Sequence, residues 1–300
     1  MARHVARRDP RAHWLLLLLG LLLLLAALTV NGLVSGLAGG SGNATARAAP
    51  DVPAAVTSGG PVLRLDRAEP ASRALPDRTI ALTFDDGPDP RWTPQVLDVL
   101  RRHGAHATFF VVGARVNEHP ELVRRILAEG HEIGSHTFTH ANLVDVSPWR
   151  RDLELSLTRK AVASATGREV TLLRPPFSSV PTALTGSEYA ALRAAAGTGH
   201  VAVLADLDTK DWQRPGADQI VRAATPKRGR GAVVLMHDGG GDRAQTLAAL
   251  DRLLPALGDQ GYHFTTVSAG IDASPSMVPA GGAEHRHPGR PGEPAGTCRR

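Results

Sequence analysis

"VLDVLRRHGAHATFFVVG", residues 96 to 113, contains a helix, its stop and a strand in one short run. Val96, Leu97, Val99 and Leu100 recur at helical spacing. Gly104 suits the left-handed position that ends a helix, and Ala107 to Val112 is apolar and rich in β-formers. The same grammar returns in "LVRRILAEGHEIGSH" (122–136) and "LAALDRLLPALGDQGYHFTTVS" (247–268). Further strands are expected at Thr79–Phe84, Thr171–Leu173, Val201–Leu207 and Ala232–Met236. Ser147-Pro148 reads as the N-cap and first turn of a helix running to about Ala165. Helices alternating with about seven strands predict an α/β domain on a parallel sheet. Alternation alone leaves that sheet either open or closed into a barrel.

In parallel α/β folds the reactive groups gather at the C-terminal ends of the strands. Here Asp85-Asp86 follows the first strand, and His136 and His140 follow the strand around Ile133. Arg174 follows Leu172-Leu173, Asp208 and Asp211 follow Val201–Leu207, and His237-Asp238 follows Val233–Met236. Five strand ends therefore carry ionisable groups. In "HEIGSHTFTH" (131–140), histidines four apart face the same side of a helical turn and can share one cation. Two histidines and one carboxylate leave an open position on a metal such as zinc, and either Asp85 or Asp86 can supply the carboxylate. The chain turns at Gly87-Pro88, so the two acids can diverge around one site, one binding the cation and the other taking a proton from water. Taken alone, Asp-Asp-Gly-Pro reads as a turn and nothing more. His237 has the chemistry of a general acid, and Arg174 that of a group orienting a carboxylate.

With these residues assembled, the chain resembles the polysaccharide deacetylase family, also known as NodB-homology or carbohydrate esterase family 4 enzymes. The resemblance covers about residues 76–270 through "TFDDGPDP", "HEIGSHTFTH", "LRPPFSS", "DLDTKDW" and "VVLMHDGGGDR", in that order. It implies a distorted (β/α) barrel of about seven parallel strands with a groove for extended glycans. It also implies that Asp85 is the catalytic base, braced by Arg174, and that Asp86, His136 and His140 hold a divalent metal. Zinc is the first expectation, with cobalt, nickel or manganese as alternatives. His237 becomes the general acid tuned by Asp211. Pro176 and Phe177 line the groove, the Phe177 N–H meets the oxyanion, and Trp212 with Leu235 receives the acetyl methyl. Two positions depart from the family's habit. Phe177-Ser178 stands where tyrosine and glycine are common, and Leu204 where an aromatic residue is frequent.

The flanks locate this domain. Residues 1–14 carry four arginines against one aspartate, and residues 272–300 four arginines against three acids. Of a formal charge of +5 only +1 remains for residues 15–271, so no basic face for nucleic acid is expected. "WLLLLLGLLLLLAALTV" (14–30) opens an apolar segment that continues to Ala38. As a helix, residues 14–38 would span about 37 Å against a hydrocarbon core of about 30 Å. An uncleaved transmembrane anchor is expected there, with residues 1–13 as a basic cytoplasmic segment and the catalytic domain extracytoplasmic. A signal peptide cleaved after Ala46-Arg47-Ala48 is the rival. Residues 39–75 read as a flexible linker, 76–271 as the deacetylase domain and 272–300 as a disordered tail. The single cysteine, Cys298, excludes an intramolecular disulfide.

The expectation is a monomeric, metal-dependent hydrolase removing N-acetyl groups from a cell-wall glycan, with peptidoglycan first and chitooligosaccharide or O-acetylated xylan next. A glycan-binding module on an inactive scaffold is a non-enzymatic alternative. A nucleotide-sugar transferase using Asp206 and Asp208 is another, but it leaves the histidines unexplained.

Overall fold

The computed structural model describes residues 49–178, 180–227, 229–272 and 277–280. The expected anchor at 14–38, the basic segment before it and Cys298 lie outside them. Among the described residues no helix is long and apolar enough to cross a membrane.

The strands, in chain order, are β1 (Val62–Arg64), β2 (Ala71–Arg73), β3 (Thr79–Asp85), β4 (Ala107–Val111), β5 (Glu132–Ser135) and β6 (Arg168–Val170). They continue with β7 (Leu172–Leu173), β8 (Val201–Val203), β9 (Leu207–Asp208), β10 (Ala232–His237), β11 (His263–Phe264) and β12 (Met277–Pro279). The main sheet runs β2-β1-β8-β7-β5-β4-β3-β10-β9, with β11 added beside β3. All pairs from β8 through to β9 are parallel, which matches the expected seven, and β11 is an eighth parallel strand. Gly104, Gly130 and Gly261, the predicted helix stops, all have φ between 61° and 81°.

The order of these strands forces curvature. Six steps separate β8 from β9 in the sheet, about 29 Å if it were flat. Yet only three residues join Val203 to Leu207 in sequence, a reach of about 15 Å at most. The sheet therefore curls, and its first and last parallel strands approach each other as in a half-barrel. No ladder among the described residues closes the ring.

Alternation decides what enters the barrel. Ile80, Leu82 and Phe84 of β3 and Val234 and Met236 of β10 face outward, where they pack with Val96, Leu97, Leu100, Leu250 and Leu253 of the helices Thr93–Arg102 and Ala244–Asp259. Ala81 and Val233 lie in a separate inner cluster with Phe110, Leu172 and Val203. The register pairs Ala81 with Val233, Thr83 with Leu235, and Asp85 with His237. Two acid–base groups more than 150 positions apart in sequence thus end neighbouring strands at one level.

The flank expectations need correction. Residues 54–73, read as spacer, hold a short helix and the β1-β2 hairpin, and β1 pairs antiparallel with β8. Val56, Val62, Leu63 and Leu65 are buried, and burying these side chains is what holds the segment to the domain. Residues 277–279, read as tail, pair with β6. Scattered apolar residues in a Gly/Pro-rich stretch gave no periodic signal for either element.

Candidate active site

A cleft of about 430 Å³ lies at the C-terminal ends of the parallel strands. It is lined by Asp85, Asp86, His136, His140, Phe177, Trp212, Leu235 and His237, which were all expected there, together with Pro175, Ser178, Asp208, Gly240 and Arg243.

Asp85 ends β3 pointing inward. By alternation Asp86 would point outward, but its φ of 74° breaks the strand and turns its carboxylate into the same cleft. A Cβ on Gly87 would fall 2.4 Å from Asp238 Oδ2, so glycine is what lets Asp238 lie against this turn.

The metal-site expectation comes together by a different route from the one predicted. Residues 136–140 are not helical. Thr137 and His140 take φ of 63° and 59°, and this irregular loop brings both rings to Asp86. Asp86 Oδ1 lies 3.5 Å from His136 Nε2 and 3.2 Å from His140 Nε2. His136 Nδ1 is 2.8 Å from the Arg174 carbonyl oxygen, which can only accept, so the proton sits on Nδ1 and the Nε2 lone pair faces Asp86. Asp86 Oδ1 is buried without a hydrogen-bond partner, and the three candidate ligand atoms lie within 4.8 Å of one another. Burial disfavours the Asp86 charge, but a hydrogen bond from His140 and then the neighbouring rings of His136 and His237 hold its carboxyl well below the usual range. Burial pushes the His136 imidazole down, keeping it neutral. An orphaned anionic oxygen facing two imidazoles, one with its lone pair already directed at it, fits a divalent cation.

Asp85 has other partners. Its Oδ1 accepts from Arg174 Nη1 at 2.8 Å, while Oδ2 stands 3.8 Å from His136 Nε2. Arg174 is 1% exposed and saturated: it also donates to Thr83 Oγ1 at 2.6 Å and to the carbonyls of Val203 and Leu204 at 3.2 and 3.1 Å. Its guanidinium lies 4.3 Å from the Phe110 ring centroid. Every one of these partners is fixed in the sheet or at its edge, so Arg174 holds the Asp85 carboxylate rigidly.

Across the cleft, His237 Nδ1 donates to Asp211 Oδ1 at 2.7 Å, and the His237 backbone N–H donates to Asp211 Oδ2 at 3.0 Å. Thr246 Oγ1 also donates to Asp211 Oδ2, at 2.7 Å. Burial alone would lower the His237 pKa, but the Asp211 hydrogen bond and charge raise it above its ordinary value.

The expected substrate-contacting residues divide. Phe177, 73% exposed with φ of 67°, sets its ring 4.8 Å from that of His140. No hydrogen bond among the described residues uses its backbone N–H. Trp212 is exposed and Leu235 buried, both on the cleft wall. Pro176 is buried and away from the lining, whereas its neighbour Pro175 takes that place. Ser178 is tied down, with its hydroxyl donating to Glu188 at 2.9 Å. Asp206 is not a partner of Asp208: its carboxylate accepts the Val233 N–H at 2.8 Å, so the paired-acid transferase site is not formed.

Asp238 was singled out by its position alone. Burial first, then the charges of Asp86, Asp85 and Asp89, push its carboxyl up to about 7, against which a hydrogen bond from Thr93 works. Between about pH 4 and pH 7 the unfolded chain binds fewer protons here than the folded one, so this group removes stability as pH rises. Asp238→Asn is therefore expected to stabilise the metal-free protein by roughly 1–3 kcal/mol more at pH 8 than at pH 4, measured by urea unfolding. Equal gains at both pH values would contradict this.

Comparison with known proteins agrees with this geometry. Residues 72–195 match the sequence model of the family described as polysaccharide deacetylase. The chain is 43% identical over 194 residues to a peptidoglycan-N-acetylglucosamine deacetylase of Bacillus cereus, covering 64% of this chain and 87% of that one. It is 40% identical over 197 residues to a chitooligosaccharide deacetylase of Sinorhizobium fredii, covering 61% and 87%. The crystal structure of the Bc1960 peptidoglycan N-acetylglucosamine deacetylase superimposes with a TM-score of 0.62 at 32% identity, covering 68% of this chain and 93% of that one. The curled parallel sheet, the acids at the end of β3 and the sequence match carry one conclusion: this chain belongs to the polysaccharide deacetylase family, hydrolases that cleave amide bonds.

Proposed function

We propose that this protein is a zinc-dependent deacetylase, anchored in the membrane by residues 14–38, that removes N-acetyl groups from peptidoglycan on the outer side. One observation carries the reading. Asp85 and His237 end adjacent strands at one register, each with its own buried partner, beside a convergent Asp-His-His cluster. The names of the relatives at 38–43% identity favour N-acetyl glycans, and the basic flank before residue 14 favours an outward-facing domain.

Asp86, His136 and His140 would hold the cation, which polarises water and the acyl oxygen when bound. Asp85, positioned by Arg174, takes a proton from the attacking water as the oxygen–carbon bond forms. The Phe177 N–H faces the developing oxyanion. As the carbon–nitrogen bond breaks, His237 protonates the departing nitrogen, so acetate and a free amine leave. Leu235 and Trp212 offer the acetyl methyl an apolar wall.

The test is acetate release from a panel of N- and O-acetylated glycans, with metal content measured on the same sample. Release from N-acetylglucosamine oligomers, abolished by chelation, is expected. Binding without release would replace catalysis with a glycan-binding role.

The dyad adds a pH prediction. His237 must be protonated to act, so its raised pKa extends activity toward alkaline pH. Asp211→Asn removes the largest influence that raises it and leaves burial, which lowers it, opposed only by the charges of Asp85 and Asp86. The alkaline limb of kcat is expected to move to lower pH, and an unmoved limb would remove His237 from the role of acid.

A further inference from the structure

The loop after β10, Asp238 to Arg243, folds closely over Asp86. A Cβ at Gly240 would lie 2.6 Å from Asp86 Oδ2, and one at Gly239 2.4 Å from the Asp86 carbonyl oxygen. This approach sets Arg243 into the cleft wall, where it is 3% exposed. Its Nε donates to the Gly239 carbonyl at 2.7 Å. Among the described residues its two terminal nitrogens have no hydrogen-bond partner, and it forms no ion pair. The contrast with Arg174 is direct: both are buried and both line or adjoin one cavity, but Arg174 is saturated by acceptors and Arg243 is not.

A guanidinium that is 3% exposed with both terminal nitrogens unpaired keeps unused hydrogen-bonding capacity, although the Asp86 carboxylate stands close by across Gly240. A guanidinium stays charged at any working pH, so Arg243 cannot shuttle protons, and its planar fork matches an oxyanion in bidentate fashion. Asp85, Asp86 and Asp208 line the same cleft, so a singly charged group is favoured over a doubly charged phosphate.

We propose that Arg243 is a specificity residue that receives the free lactyl carboxylate of a peptide-free sugar next to the N-acetyl group under attack, so that the enzyme prefers acidic, peptide-free glycan strands to neutral ones. This rests on the deacetylase reading above.

The probes are an alternating N-acetylglucosamine–N-acetylmuramic acid tetrasaccharide and its carboxyl-reduced counterpart. For the full chain, the preference in kcat/KM for the acidic over the reduced glycan is expected to fall at least tenfold in Arg243→Gln, mainly through KM, and to recover in part in Arg243→Lys. Binding of both glycans to Asp85→Asn, with and without Arg243→Gln, measures the same preference without turnover and is expected to show the same loss. A parent chain with no preference, or a Gln variant that weakens both glycans by one factor, overturns the proposal. If no N-acetyl glycan releases acetate, the deacetylase reading fails, and the binding arm still decides the role of Arg243.

Discussion

Asp85→Asn is expected to keep the bound metal and lose kcat by about 10³-fold, within the range of about 10²–10⁴ that a positioned general base contributes. The reason is the division of partners at the end of β3. Arg174 Nη1 holds Asp85 Oδ1 at 2.8 Å, whereas the nearest imidazole nitrogen lies 3.8 Å from Oδ2. Asparagine preserves the shape and an oxygen for Arg174 but has no basic lone pair for water. Metal content by mass spectrometry and acetate release on one preparation read both halves. Loss of metal would show that Asp85 is a ligand and that the two acids have been assigned the wrong way round.

Asp86→Ala is expected to lose metal and turnover together, by roughly 10³-fold or more in kcat/KM, because it removes the anionic member of the three-residue cluster. Two imidazoles remain, and excess metal restores activity only in part. The paired result is diagnostic: adjacent residues of identical chemistry should give metal-replete and metal-free dead enzymes respectively. Retention of metal in Asp86→Ala would mean that other groups bind the cation.

Much of this was legible along the chain. The helix, glycine and strand units, the seven parallel strands and the strand-end location of Asp85, Asp86, His136, His140, Arg174 and His237 follow from periodicities of 3.6 and 2 and from where each apolar run stops. The resemblance through five ordered motifs implied the partners Asp211 and Phe177. Less could be read where the signal was not periodic. The β1-β2 hairpin lies in a Gly/Pro-rich stretch, and its apolar residues are too few to show alternation. Pro175 rather than Pro176 faces the cleft because a residue past the end of a short strand is no longer bound by alternation.

The residues around the Asp86-His136-His140 cluster show where the division falls. Which residue types stand at the strand ends can be read along the chain, since binary pattern and turn chemistry are local properties. Their partners are set by the folded arrangement. The φ of 74° at Asp86, the left-handed residues Thr137 and His140, the saturation of Arg174 and the unsatisfied fork of Arg243 depend on non-local packing. A carboxylate or guanidinium takes its chemistry from whichever distant groups the fold sets within about 3 Å of it, and the curl that brings β8 round to β9 sets those distances.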